Sequence, residues 1–419
     1  MVENNIPKHW QIKKLGEVFT IERGGSPRPI EEYITNDKNG INWIKIGDTK
    51  NVVKYIYRTK EKIKPSGAKR SRMVYENDFL LSNSMSFGKP FIMKTSGCIH
   101  DGWLVIRNND AIDINYLYYI LSSSIVYQQF SNLAKGSTVK NLNIEAVKQV
   151  IINFPPLQEQ QTIVSKIEEL LSDLENGKQQ LLLAQQQLNV YRQSLLKWAF
   201  EGKLTNEDLS GELPKEWKCM KLSSVCEKIQ DGSHFSPQIQ YNEPGENRFM
   251  YITAKNIRND HMDLNKLIYV DRDFHESIYR RCNPELGDVL LTKDGVNTGE
   301  VTLNSLSVPF SLLSSVCIFK PIRSELKGEF LKYFIQSPFG SKIITNSMTG
   351  TAIKRIILRK IKDAEIVLPP IKEQQHIVDE LESKLTVCDK IEETINQSLI
   401  HAETLRQSIL KKAFEGKLV

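Results

Sequence analysis

Apolar residues recur every seven positions in two places along the chain. After Pro155-Pro156 they fall at Ile167, Leu174, Leu181, Leu188 and Leu195; the two prolines resist helix and pin its start, and the heptad spacing predicts one long helix with an apolar seam. A companion register runs through Ile163, Leu170, Gly177, Ala184, Tyr191 and Trp198. The second run gives Leu381, Cys388, Ile395, Ala402 and Ile409, with a weaker companion of Ile377, Ile391 and Leu405 that Lys384, Ser398 and Lys412 interrupt. Gly202 and Gly416 follow the last periodic residues, where a helix end commonly takes a left-handed residue. Forty residues or so at about 1.5 Å each give a helix near ~60 Å, and Gly177 offers a place to bend. A helix of that length with one apolar stripe needs a partner, and the other run is the nearest at hand.

Elsewhere the pattern is shorter. "INWIKIGD" from Ile41, "DFLLSNS" from Asp78, "FMYITAKNI" from Phe249, "DVLLTKDG" from Asp288 and "SSVCIFKP" from Ser314 are β-branched or aromatic and bounded by Gly, Asp, Asn or Pro, which predicts strands. "INYLYYILSSSIVYQQF" from Ile114 and "GEFLKYFIQSPFGSKII" from Gly328 predict helices. Each of these two regions is therefore mixed α and β.

The periodic runs belong to an internal repeat. "FPPLQEQQTIV" at Phe154 returns as "LPPIKEQQHIV" at Leu368, and "RQSLLKWAFEGKLT" at Arg192 as "RQSILKKAFEGKLV" at Arg406, both 214 residues downstream. "GSTVKNL" at Gly136 and "GTAIKRI" at Gly350 keep that offset, while "IPKHWQIKKLGEV" at Ile6 answers "LPKEWKCMKLSSV" at Leu213 with an offset of 207. The chain reads as two versions of one unit, divided as 1–153, 154–205, 206–367 and 368–419: variable domain, helical region, variable domain, helical region.

Composition changes the picture little. The 419 residues are 40% hydrophobic and 25% charged, ordinary globular material. No run approaches the apolar length of a membrane helix and the start lacks a signal-peptide core, so a cytoplasmic location is expected. Six cysteines stand without a C-x2-C pair and imply neither zinc nor a disulfide framework. Charge says more. The net charge is +6, yet Lys54 to Arg72 alone carries +7, interleaved with Tyr55 and Tyr57, and such a segment suits a loop or strand edge laid along phosphates. In the second variable region "YRRCNPELGDVLL" aligns with "KRSRMVYENDFLL", setting Arg280 beside Arg70 before the same Asp-x-Leu-Leu strand. The loops that differ between copies are the natural base readers: "ERGGSPRPIEE" against "QDGSHFSPQIQ", and "SFGKP" against "GVNTGE".

No catalytic apparatus is visible. The Pro-Pro pairs lack the Asn or Asp and the aromatic residue that an adenine methyltransferase places around them, no phosphate loop ends in GK[ST], and the histidines show no helix-spaced ligand pair.

"PPLQEQ" and "PPIKEQ", the paired "AFEGKL" endings and the "PKxW" openings resemble the specificity subunit of type I restriction–modification enzymes over essentially the whole chain. The resemblance implies an α/β (α+β) chain in which two mixed target recognition domains are separated by two long helices packed as an antiparallel coiled coil, with an internal pseudo-twofold repeat. It implies double-stranded DNA as ligand, an asymmetric bipartite site with one half per domain, two DNA methyltransferase subunits and restriction subunits as partners, and S-adenosylmethionine, ATP and Mg in those partners rather than in this chain. A fused restriction–methyltransferase partner is an alternative within the family; outside it stand a coiled-coil interaction scaffold without DNA binding, and a nuclease whose carboxylates are not apparent.

Candidate DNA contacts are Arg23, Ser26, Arg28, Lys54, Arg58, Lys69, Arg70, Arg72 and Lys89 in the first domain, and Ser233, His234, Lys255, Asn256, Arg280, Arg281, Lys293 and Asn297 in the second. Candidate partner contacts, taken from the repeated tail, are Glu159, Gln160, Arg192, Lys197, Phe200 and Lys203 with their copies Glu373, Gln374, Arg406, Lys411, Phe414 and Lys417.

Overall fold

The computed structural model describes residues 6–83, 87–107, 111–134, 141–206, 213–349 and 355–419. Ser86 and the stretches 136–140 and 350–354, which open the repeated "GSTVKNL" and "GTAIKRI", lie outside the described residues. The chain divides into two compact units, Met1–Leu181 with Asn396–Val419, and Leu182–Ile395. The dividing points fall inside the long helices, so each unit owns a mixed α/β domain and part of both helices.

In the first unit two five-stranded sheets lie over each other. One is ordered Ile21–Arg23, Trp103–Ile106, Phe79–Ser82, Pro90–Met93, Tyr55–Ile56; the other Ile34–Thr35, Glu61–Ile63, Ile41–Ile44, Gly97–Ile99, Arg72–Val74. The strand Phe79–Ser82 is buried on both faces, which is why it reads as an unbroken apolar run. Phe79 and Leu81 join the cluster under the helices, and Leu80 joins Trp103, Val105 and Ile44 between the sheets. Fully burying a leucine stabilises by about 1.5–3 kcal/mol, so this strand holds the two layers together. The second unit repeats the scheme with four strands (Cys226–Asp231, Val316–Pro321, Val289–Thr292, Val301–Leu303) and three (Ile268–Asp271, Arg248–Ile252, Ser311–Leu312). Val289 and Leu291 face one cluster and Leu290 the other.

The Asp that precedes each of these strands has a structural task. Asp78 accepts from the Tyr75 amide (2.8 Å) and pairs with Arg107; Asp288 accepts from the Glu285 amide (2.7 Å) and from Lys320 Nζ (2.8 Å). A carboxylate that closes the turn and neutralises a cation on the neighbouring strand explains the recurrent Asp-x-Leu-Leu.

Each predicted medium helix is two. Ile114–Leu121 and Ser124–Leu133 break at Ser123, whose hydroxyl accepts from the Val126 amide; Gly328–Gln336 and Pro338–Asn346 break at Ser337, whose hydroxyl accepts from the Gly340 amide with Pro338 at the first helical position. A serine cap restarts the helix in a new direction.

The long helices are Leu157–Phe200 and Ile371–Phe414, 44 residues each and 214 positions apart. The first runs through Gly177 without interruption, and both end at left-handed glycines, Gly202 (φ 75°) and Gly416 (φ 66°). In the first unit Ile163, Val164 and Ile167, at the start of the first helix, share a core with Leu410, Ala413 and Phe414, at the end of the second. In the second unit Leu188, Leu195 and Ala199 share one with Ile377, Leu381 and Cys388. Within each unit the helices thus meet start to end. In the main heptad register Ile167, Leu188 and Leu195 are buried with Leu174 and Leu181 half-buried, and Leu381, Cys388, Ile395, Ala402 and Ile409 are buried. The companion register holds at the start of each helix, where Ile163 and Ile377 are buried, and is corrected further along: Tyr191, Trp198, Ile391 and Leu405 stand exposed. One residue along, Val164, Leu171, Arg192 and Ala199, with Val378, Leu385, Glu392 and Ala413, take the inward positions. Arg192 bonds Asp389 (2.7 Å) and Glu392 (2.8 Å), so a charge pair occupies a seam position that apolar counting skips.

Candidate nucleic-acid interface

In the first unit the strand Ile21–Arg23 ends against Gly24 and Gly25. A β-carbon on Gly24 would sit 2.1 Å from the His100 carbonyl oxygen and one on Gly25 3.1 Å from that of Arg70, so the loop after the strand is pressed between the His100 turn and the Lys69–Arg72 turn. Asp101 gathers this surface: Ser26 Oγ donates to its carboxylate (2.9 Å), Arg28 lies 3.6 Å from it, and Arg23 Nε donates to its carbonyl (3.1 Å). Arg70 lies over the Tyr33 ring (5.8 Å) and Arg72 pairs with Glu22 (3.1 Å). Arg23, Arg28, Arg58, Lys69, Arg70 and Arg72 are all exposed. Two of the candidates lie elsewhere. Lys54 is turned inward, to Glu168 (3.2 Å) and the rings of Tyr55, Tyr118 and Tyr119, so its charge is answered within the fold. Lys89 lines a separate depression with Val52, Tyr118 and Arg406.

In the second unit the equivalent strand ends at Asp231. Leu104 pairs with Arg23 and Cys317 with Asp231, so Asp231 occupies the position of Arg23. Four side chains donate to its carboxylate: Lys293 Nζ (2.8 Å), Arg281 Nη2 (2.7 Å), Gln230 Nε2 (2.8 Å) and His234 Nε2 (3.1 Å). Burial alone would raise its pKa, but the bonds from Lys293 and Arg281 outweigh that and hold it at about 2. Lys255, Arg280, Arg281 and His234 are exposed around this centre; the Lys255 turn is tied in by the bond from the Ala254 amide to Ser315 Oγ (3.2 Å). Asn297 is half-buried in the neighbouring Gly295–Glu300 turn.

Three candidates here are corrected. Lys293 is buried against Asp231, and Ser233 is buried with its hydroxyl accepting from the Phe235 amide (3.0 Å) to shape the His234 turn. Asn256 is buried too, accepting from the Thr253 amide and donating to the Asp263 carbonyl (3.0 Å each). These residues build the loops.

The repeated tail separates into inner and outer residues. Gln160 and Gln374 are fully buried: Gln160 accepts from the Asp113 amide (2.8 Å) and donates to the Pro155 carbonyl (2.8 Å), while Gln374 accepts from the Lys327 amide (2.9 Å) and donates to the carbonyls of Glu325 (2.7 Å) and Pro369 (2.9 Å). Each glutamine clips a long helix to the start of a domain helix, so neither is a partner contact. Phe200, edge-on to Phe330 and Phe334, and Phe414, edge-on to Tyr116, are core residues for the same reason of burial. Glu159 accepts from Trp10 Nε1 (2.9 Å), a bond that the buried Trp217 indole of the second "PKxW" opening does not repeat, and Arg192 belongs to the helix seam. Left on the surface are Lys197, Lys203, Lys411 and Lys417, with Glu373 and Arg406 half-buried. The lysines flank one carboxylate in each copy: Lys197 and Lys203 lie 3.7 and 2.9 Å from Glu201, Lys411 and Lys417 3.9 and 2.8 Å from Glu415.

Among the described residues no helix is long and apolar enough to cross a membrane, and no group of three or more His, Cys, Asp or Glu is disposed to hold a metal ion.

The two units thus carry unlike polar loops at the ends of a common strand frame. The chain belongs to the family described as the type I restriction modification DNA specificity domain, whose model matches residues 7–184 and 214–401. Recognition of DNA sequence for a type I restriction–modification system is accordingly its function. It is similar to the type I restriction enzyme MjaIX specificity subunit of Methanocaldococcus jannaschii, 24% identical over 86% of this chain and 82% of the relative. It is also similar to the EcoKI specificity subunit of Escherichia coli, 25% identical over 83% and 75%. Its fold is shared with a chain solved in work on complex assembly and conformational transition of the type I R-M system (20% identity, TM-score 0.75, 98% and 99% covered) and with the HsdS subunit from Thermoanaerobacter tengcongensis (19%, 0.62, 98% of each).

Proposed function

We propose that the chain recognises an asymmetric, interrupted sequence in double-stranded DNA, residues 1–153 reading one half and residues 206–367 the other. The helical regions 154–205 and 368–419 act as an antiparallel coiled-coil scaffold that docks two methyltransferase subunits, to which restriction subunits are added. The chain itself is non-catalytic in this reading: S-adenosylmethionine, ATP and Mg are held by the partners, and the complex works in the cytoplasm.

One observation carries the two-reader proposal. The two domains keep the same strand-end glycine and the same strand buried on both faces, yet one gathers its loops on Asp101, in the turn before Trp103–Ile106, and the other on Asp231, at the end of Cys226–Asp231. A frame held constant while its polar contents are rearranged is what reading two different half-sites requires. The lysines beside Glu201 and Glu415 support repeated docking, because the same charge pattern is offered twice. Methylome sequencing of the source cells, with and without this gene, tests the reading. A motif of two unlike specified blocks around an unspecified spacer, lost with the gene, supports it; an uninterrupted palindrome, or a methylome that does not change, overturns it.

A further inference from the structure

We propose that Arg281 reads a guanine in the half-site of the second unit, held for that task by Asp231; this rests on the reading above. Arg281 is in the last turn of the helix Arg272–Cys282, and its backbone is fixed by left-handed Asn283, whose amide donates to the Tyr279 carbonyl (2.7 Å). Its guanidinium is committed along one edge. Nε donates to the carbonyls of Asp231 (2.9 Å) and Gly232 (3.0 Å), and Nη2 to Asp231 Oδ1 (2.7 Å).

A guanidinium is planar with five donors in a fixed fork. Once the Nε edge is taken, Nη1 and the second hydrogen of Nη2 remain as two parallel donors directed away from the strand. The side chain is 41% exposed, so that pair is accessible. Of the base edges in the major groove, guanine offers two adjacent acceptors, N7 and O6, matched to such a pair.

A phosphate also accepts two donors, but two observations favour a base. Three hydrogen bonds and a capped helix hold this arginine in one orientation, which a phosphate contact does not need. The same loops also expose Phe235 (76%) and Val296 (104%), apolar side chains suited to a thymine methyl and of no use to a phosphate. Asp231 is a positioning residue. Its carboxylate already accepts from Gln230, His234, Arg281 and Lys293, so it has no acceptor left for a cytosine or adenine amine. In the first unit Arg23 fills the same strand-end position, so the device belongs to the second unit alone.

The test uses the assembled methyltransferase complex and duplexes in which each guanine of the second unit's half-site is replaced in turn by 7-deazaguanine, which lacks the N7 acceptor. At one position the replacement is expected to weaken binding roughly tenfold and to cost the Arg281→Ala complex nothing further. Asp231→Asn should keep low-salt affinity for unrelated DNA while discrimination between guanine and 7-deazaguanine falls several-fold; equal loss of both overturns the positioning role. A half-site without a G·C pair, or no position at which the wild type responds and Arg281→Ala does not, overturns the assignment, and the wild-type measurement requires no variant to fold. Exchanging residues 206–367 for another reader separates the two claims. If the exchange leaves the motif unchanged, the second unit reads nothing and both fail; if the motif changes but no Arg281-dependent position exists, only the arginine assignment fails.

Discussion

Replacing Gln160 by alanine should destabilise the first unit without directly touching partner docking. The side chain is fully buried and spans from the long helix to the Asp113 amide (2.8 Å) and the Pro155 carbonyl (2.8 Å), with the Ala111 carbonyl at 3.4 Å. Alanine strands at least one donor and one acceptor away from water, each at about 1–3 kcal/mol, for a total of roughly 3–5 kcal/mol once the small cavity is added. For a unit of this size each kcal/mol moves the midpoint by roughly 2–4 °C, so a fall on the order of 10 °C is expected. Gln374→Ala should do the same to the second unit through the Lys327 amide and the Glu325 and Pro369 carbonyls. Lys203→Ala is the contrast: exposed and paired with Glu201, it should shift stability by less than about 0.5 kcal/mol while weakening methyltransferase binding. Thermal denaturation of the chain, beside co-purification with the methyltransferase at low temperature, measures both. Gln160→Ala with an unchanged midpoint and lost methyltransferase binding would refute the structural role.

Other outcomes follow from the same geometry. Changing Lys69, Arg70 and Arg72 together to Ala should weaken binding to all DNA and reduce the slope of log K against log salt by about 0.9 for each phosphate left without its cation, and an unchanged slope contradicts this. Arg192→Ala breaks the pairing with Asp389 and Glu392 and should cost about 1 kcal/mol in urea denaturation. Asp231, whose carboxyl is depressed from 3.8 to about 2, contributes stability that is present above pH 3.8 and lost as pH falls from there through 2. That contribution is about 2 kcal/mol; Asp231→Asn should remove this part of the acid-denaturation curve, and a superimposable curve is the contrary result.

The long helices were legible because a seven-residue period over forty or so positions is hard to mistake, and their glycine ends fell where expected. The second register was legible only at its start, in Ile163 and Ile377; further along Tyr191 and Trp198 look like core by composition while the inward position is held by Arg192, whose charge is answered by Asp389 and Glu392 only in three dimensions. Gln160, Gln374, Phe200 and Phe414 were visible as repeated residues, but repetition alone does not distinguish a clip or a core ring from a docking surface; burial does. The apolar strands announced themselves as continuous runs. Asp101 and Asp231 did not, because one reaches its loop cluster from a turn and the other from a strand end, and no constant offset relates them. Pro338 after Ser337 was a usable signal for the helix break in the second domain, and Ser122-Ser123 a weaker one in the first.

The central claim is that each mixed domain reads its own part of the site. Exchanging residues 1–153 for the corresponding domain of another specificity subunit, followed by methylome sequencing, tests it most directly. The account predicts that one block of the motif changes and the other is retained base for base; alteration of both blocks, or of neither, would contradict it.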